Sequence, residues 1–366
     1  MFKKIFPVII TLFILSSCSS TEEENPVLKD SFDRKGMLTN IADNIIIPAY
    51  EDFSSKMALL KTEGNAFIDN PNIANLESLR NSWLTAYKSW QHIEMYNIGK
   101  ANEILYKFHI NIYPVTVTDI DDNIKNGSYD LNSANNHDAQ GFPALDYLLF
   151  GLDNSDSKII EKYTIDTNKE NFKKYLYDVI AQMSSLTNIV VTDFKEQRNV
   201  FVNNTVNTLS GSVNQLVNDY IFYYEKGLRA NKIGIPSGIF SSTPLPQKVE
   251  AFYNNTVSKE LTLEALSAVQ NLFEGKHFGK NTKGLGFNDY LITLNRNDLA
   301  TSISNQFTIA KTAIEKLNNS FSIQINSDNV AMTKAYDELQ KNVVLMKVDM
   351  IQTFNISVDY VDADGD

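Results

Sequence analysis

The sequence predicts an all-α protein built of up-down helical bundles, and three observations carry that expectation. Apolar residues recur at gaps of three and four through six long stretches, the spacing of one buried helix face. No stretch alternates apolar and polar residues over strand length, apart from an ambiguous run at Phe321 to Ile325. Two irregular segments, Lys107 to Asp138 and Asn231 to Gln247, interrupt the stripes, and helices joined by such connections pack as bundles.

With 366 residues, 43% of them hydrophobic and 21% charged, the chain can bury one large or two medium cores. The formal net charge is −11. A net-acidic surface repels phosphates, so nucleic acid is excluded as a partner.

Residues Met1 to Ser17 combine Lys3 and Lys4, the apolar run Ile5 to Leu15 and then small residues, the pattern of a signal peptide. Leu15, Ser16, Ser17 and Cys18 resemble a bacterial lipobox, so Cys18 is expected to carry lipid. Loss of Lys3 and Lys4 with the signal takes the charge to −13. Cys18 is the only cysteine, which leaves the folded part without a disulfide framework or a cysteine nucleophile. The apolar run is shorter than the ~20 residues that a spanning helix needs. The expectation is a lipoprotein held at the outer membrane or cell surface through Cys18, with residues 18–35 as a solvated tether. Ser19 stands where an Asp would favour inner-membrane retention.

The first stripe, Leu38, Ile41, Ile45, Ala49, Phe53, Met57 and Leu60, predicts a helix kinked by Pro48. The second, Leu76, Leu79, Trp83, Ala86, Trp90 and Ile93, is widened by Tyr87 and Glu94 and is expected to close at Gly99. Between Lys107 and Asp138 the periodicity weakens, leaving at most a short helix around Asp119 to Lys125; long connections of this kind tend to be functional. It delivers the chain to NHDAQGFPALDYLLFG, Asn136 to Gly151, the most informative segment. Gly141 can take the positive φ that a turn needs, and Pro143 fits the first helical position. Asp146 then falls in the first turn, near the positive end of the helix dipole.

Stripes from Phe172 to Val190 and from Val206 to Tyr223 predict two long bundle helices. Asn231 to Gln247 contains Pro236, Pro244, Pro246, Gly234 and Gly238, and reads as a loop over the site face. Arg229 and Lys232 open it as candidate counter-ions. A further helix ends near Gly275. GLGFNDYL, Gly284 to Leu291, matches GFPALDYL, Gly141 to Leu148, at four of eight positions and sets Asp289 143 residues after Asp146. Such an echo suggests two related halves. The last stripes run from Leu299 to Leu317 and from Met332 to Met350, the second capped by Asp328 or Asn329. Asp362, Asp364 and Asp366 lack the glycine spacing and distal Glu of an EF-hand and read as a solvated tail.

Gly141 to Asp146 resembles the GxHxxE signature of the imelysin-like proteins, the family of imelysin peptidase, in the form GxPxxD. WLTAYKSWQHIEMYNIG (Trp83 to Gly99), YPVTVTDIDDNI (Tyr113 to Ile124) and the ending DYVDADGD (Asp359 to Asp366) resemble the family as well, so the likeness spans most of the chain after residue 36. It implies two packed helical bundles, residues 36–165 with the motif and 166–366 with its echo, the motif lying near their junction. It also implies an association with iron or haem acquisition. Here the family's His position is Pro143 and its Glu position is Asp146.

A zinc peptidase needs ligands at spacings such as HExxH. No two of His92, His109, His137 and His277 stand three or four apart, and Pro143 cannot ligate a metal. His137, four residues before Gly141, is expected to be a surface histidine in a polar loop, the alternative being that it reaches the same pocket. The expectation is therefore a binding protein without catalytic residues, its degenerate site drawn from Gly141, Pro143, Asp146, Glu94, Trp90, Tyr87, Asp289 and Arg229. The cofactor is left open between iron and another divalent metal; the partner is a metal or haem ligand, or an outer-membrane protein. The alternatives are a metal-dependent peptidase with an altered site and a surface module that binds only a partner protein.

Overall fold

Asp33 opens the first helix, Arg34–Ile41, by accepting the Gly36 N–H at 2.7 Å. The computed structural model describes residues 31–358; the signal, Cys18, most of the tether and the acidic tail lie outside the described residues. The chain then passes through one widened turn, Ala42–Ile46, into Ile47–Asp69. The bend expected at Pro48 is this π turn. A proline has no N–H, so the carbonyl of Asn44, four residues back, loses its helical partner. The Phe278 N–H takes it instead, at 2.8 Å.

Ile47–Asp69 packs against both Ile73–Trp90 and the long helix Lys169–Asn203, which also carries the shorter helices between residues 100 and 164 on its flank. Phe53, Met57, Leu60, Leu76, Leu79, Trp83, Leu176, Val179 and Met183 are all buried, so the predicted stripes face one another as a core. A second group comprises Ser212–Phe222, continuing as the π-helix Tyr223–Gly234, with Ser258–Phe273, Asn297–Glu315 and Phe321–Val344. The groups meet where Ser258–Phe273 lies on Ile73–Trp90 and where Arg34–Ile41 lies on Ser212–Phe222. The described residues contain no strand, only an isolated bridge between Lys276 and Lys283. None of their helices is long and apolar enough to cross a membrane.

Several elements depart from expectation. Ile73–Trp90 ends well before Gly99, because the Gln91, His92 and Ile93 N–H groups turn back only three residues, to the Lys88, Ser89 and Trp90 carbonyls. Glu94 therefore leaves the helix face. The helix expected from Val206 begins at Ser212, and Val206 and Leu209 are each 52% exposed. The connection between Lys107 and Asp138 holds Tyr106–Ile110, Val117–Asn126 and a 3₁₀ turn at Ala134–Ala139. Residues 231–234 are still helical, so Arg229 and Lys232 lie on a helix rather than at a loop mouth. Phe321 to Ile325 is helical, and Asp328, with φ −155° and ψ 83°, kinks its helix and caps Ala331.

Candidate functional site

Gly141 adopts φ +75°, and a Cβ there would stand 2.2 Å from the Ile110 carbonyl oxygen, so no other residue fits. Its helix is Gly141–Asp146, extended by the π turn Tyr147–Gly151. Pro143 occupies the third position rather than the first; its missing N–H still costs no intrahelical bond there. Asp146 falls in the second turn, so the helix dipole is not what holds it. Its carboxylate, 2% exposed, accepts the Tyr253 and Asn254 N–H groups, each at 2.8 Å. Burial pushes its pKa up to about 7, and the two N–H bonds pull it back down. These bonds pin a strap, residues 249–255, in which Ala251 and Asn255 both have positive φ.

The same strap supplies Glu250, which is 1% exposed. Its carboxylate accepts from Lys232 Nζ at 2.6 Å, Asn111 Nδ2 at 3.0 Å and Gln91 Nε2 at 3.2 Å. Lys232, equally buried, also donates to Gln91 Oε1 at 2.8 Å and stands 3.7 Å from Glu94 Oε2. Glu94 accepts from Asn111 Nδ2 at 2.8 Å and from the Tyr223 hydroxyl at 2.9 Å, and the Tyr87 hydroxyl donates to Asn111 Oδ1 at 2.6 Å. Buried charges survive only when paired and hydrogen-bonded, and each of these groups satisfies its neighbours. Burial first, then the charges of Glu250, Glu94 and Asp146, holds the Tyr87 hydroxyl well above its usual range.

Glu94, Asn111, Tyr113 and Tyr223 form one wall of a cavity of about 680 Å³, which also exposes amides such as Asn97 and Gln215 and the rings of Phe108 and Phe222. A second cavity of about 270 Å³ is lined by Pro143, Asp146, Pro114, Val249 and Tyr253. Tyr113 borders both.

The structure thus brings Tyr87, Glu94, Pro143 and Asp146 to one region, with Gly141 setting the turn. Trp90 belongs elsewhere: it is 1% exposed, its ring packs on Tyr106 and Phe53 at 5.3 and 5.6 Å, and its Nε1 has no hydrogen-bond partner. Asp289 accepts the Gly286 N–H at 3.0 Å and caps its own helix, bordering neither cavity. Arg229 is buried in the second bundle, where it donates to Tyr336 and Gln340 and lies 3.5 Å from Glu225. The counter-ion role expected of the Arg229 and Lys232 pair falls to Lys232 alone. His137 stacks against Phe108, meets His109 edge-on and lines neither cavity. Sequence reasoning missed Gln91, Asn111, Tyr223 and Glu250.

Residues 46–346 match the peptidase M75 family, imelysin. The chain belongs to the imelysin family. An imelysin-like protein from Psychrobacter arcticum 273-4 shares the fold over 89% of this chain and 97% of its own, with 19% identity and a TM-score of 0.70. A candidate iron-regulated protein A precursor from Parabacteroides distasonis ATCC 8503 does so over 88% and 95%, with 16% identity and a TM-score of 0.70. No match is found among curated proteins.

The residues of this imelysin family member do not fit a catalytic zinc, which takes three protein ligands and keeps one position open. Among the described residues no three His, Cys, Asp or Glu side chains gather to hold a metal ion. Pro143 offers no donor, both Asp146 oxygens are engaged by backbone N–H groups, and Glu250 and Glu94 already flank an ammonium.

Proposed function

We propose that this imelysin family member is a lipid-anchored binding protein of the outer membrane or cell surface, and that its ligand enters the 680 Å³ cavity. The observation that carries this reading is the polar wall of Glu94, Asn111, Tyr113 and Tyr223, most of it held in place by a buried network. Cavities of ~300–1,000 Å³ with a few fixed polar groups among aromatic rings are the usual form of small-molecule sites. An iron- or haem-containing ligand is what the family resemblance implies, and the name of the Parabacteroides protein, which calls that protein iron-regulated, is consistent with a link to iron. The signal pattern and Cys18 support the anchor.

Thermal melting of the purified protein with haem or ferric citrate tests the ligand reading. A ligand held at a hundredfold excess over Kd adds ~2.7 kcal/mol, and the resulting rise in Tm should shrink in Tyr223→Phe and Asn111→Ala. No rise with either compound would remove the iron reading. Cys18→Ala should release the protein from the membrane fraction; a variant that stays there would remove the lipid anchor. The family description favours a second reading, a peptidase with an altered metal site. Stoichiometric zinc together with chelator-sensitive peptide cleavage would put it in place of the binding role.

A further inference from the structure

A buried carboxylate and a partly buried one facing the same small volume, as Glu250 and Glu94 do, normally need a metal ion or a paired base between them. In this protein the volume between Glu94 and Glu250 holds the Lys232 ammonium. We infer that Lys232 is a resident cation: it fills the seat that a divalent metal would take between Glu94 and Glu250, and the cavity floor recruits no metal while the lysine is there.

The surroundings of Nζ are those of a hard-cation site. It meets a carboxylate oxygen of Glu250 at 2.6 Å, the amide oxygen of Gln91 at 2.8 Å and a second carboxylate, Glu94, at 3.7 Å. Carboxylate and amide oxygens are also what calcium, magnesium and manganese take, at ~2.0–2.6 Å. Around a metal Glu250 and Gln91 would close in by only a few tenths of an ångström, and Glu94, at 3.7 Å, by roughly 1 Å or more. The oxygens are steadied from behind, since Asn111 bonds both carboxylates, Tyr223 bonds Glu94 and Tyr87 bonds Asn111. Outer partners of this kind orient the ligands of metal sites. Lys232 is 1% exposed, Glu250 1% and Gln91 0%, so the ammonium cannot swing into solvent to make room. A second cation beside it would meet like charge at low dielectric. The inference stands apart from the ligand reading, because it is read with metal salts alone and a cavity that binds no haem leaves it in place.

The test compares the purified full chain with Glu94→Gln, Lys232→Met and the double variant Lys232→Met with Glu250→Gln. Each is titrated with the chlorides of calcium, manganese and zinc, by calorimetry and by thermal melting. Glu94→Gln should leave the metal response of the wild type unchanged. Lys232→Met should take up one divalent ion per chain and gain about 5 °C or more in Tm, and the double variant should not. If Lys232→Met is unfolded in salt-free buffer, refolding on addition of one of the three ions is the expected result. The inference is overturned by one ion per wild-type chain that is lost in Glu94→Gln. It is equally overturned by a Lys232→Met chain that neither folds nor gains stability with any of the three ions.

Discussion

Replacing Asp146 with asparagine keeps the shape of the side chain and removes its charge, which makes it a sensitive probe of the strap it holds. The carboxylate accepts two backbone N–H groups, one on each oxygen. An amide has one acceptor oxygen, so either Tyr253 or Asn254 must point its N–H at an NH₂ group. A buried donor left without an acceptor costs about 1–3 kcal/mol. Against this stands the cost of ionising the native acid. Asp146 has a pKa of about 7 in the folded chain against 3.8 for an ordinary aspartate, so the unfolded chain releases that proton first. Its contribution to stability is therefore fully present below pH ~3.8 and is lost as pH rises through 7. At ~1.36 kcal/mol per pH unit, that interval corresponds to a loss of up to about 4 kcal/mol. Urea denaturation followed by circular dichroism at pH 5 and pH 8.5 should show Asp146→Asn less stable than wild type at the lower pH, with the gap closing or reversing at the higher one. A difference between the two proteins that stays constant across this range would refute the assignment of a costly buried carboxylate to Asp146.

Other substitutions separate the remaining features. Gly141→Ala forces a side chain into positive φ and against the Ile110 carbonyl, and should lose about 3 kcal/mol or more in urea denaturation, or yield no soluble protein. Glu250→Ala leaves the Lys232 ammonium without its nearest carboxylate and should lose about 3–5 kcal/mol by the same measurement. Asp289→Ala removes a helix cap only, so its loss should be about 1 kcal/mol and its Tm response to haem or ferric citrate should match that of wild type.

Much of the fold was legible because helix stripes are local. Every residue from Leu38 through Leu60 singled out by spacing is buried. The errors came where apolar residues are buried by something other than a helix, or are not buried at all. Ile93 and Tyr96 are in the core, yet successive three-residue turns put them there. Val206 and Leu209 follow the spacing but face solvent. The site was only half legible for a related reason. Gly141 and Asp146 announce themselves through a turn and a helix start. Glu250, however, meets Gln91 across 159 residues and Asn111 across 139, and nothing near it in the chain marks it as buried. Asp146 and Asp289 sit in similar local sequences, but one reaches across 107 residues and the other closes on its own helix. Local likeness carries the bend of a chain, not the partners it meets.

The carbonyl that Pro48 leaves without a helical donor has a wider consequence. Asn44 passes it to the N–H of Phe278, whose ring meets His92 edge-on at 5.3 Å, and His92 in turn lies 3.1 Å from Glu264 on Ser258–Phe273. One omitted proton donor thus adds a bond from the turn after the opening helix to a segment more than two hundred residues later, beside those that Asn40 Nδ2 makes to the Gly275 and Leu285 carbonyls, each at 3.0 Å. Restoring that donor with an ordinary residue would set a helical bond to the Asn44 carbonyl in competition with the one from Phe278.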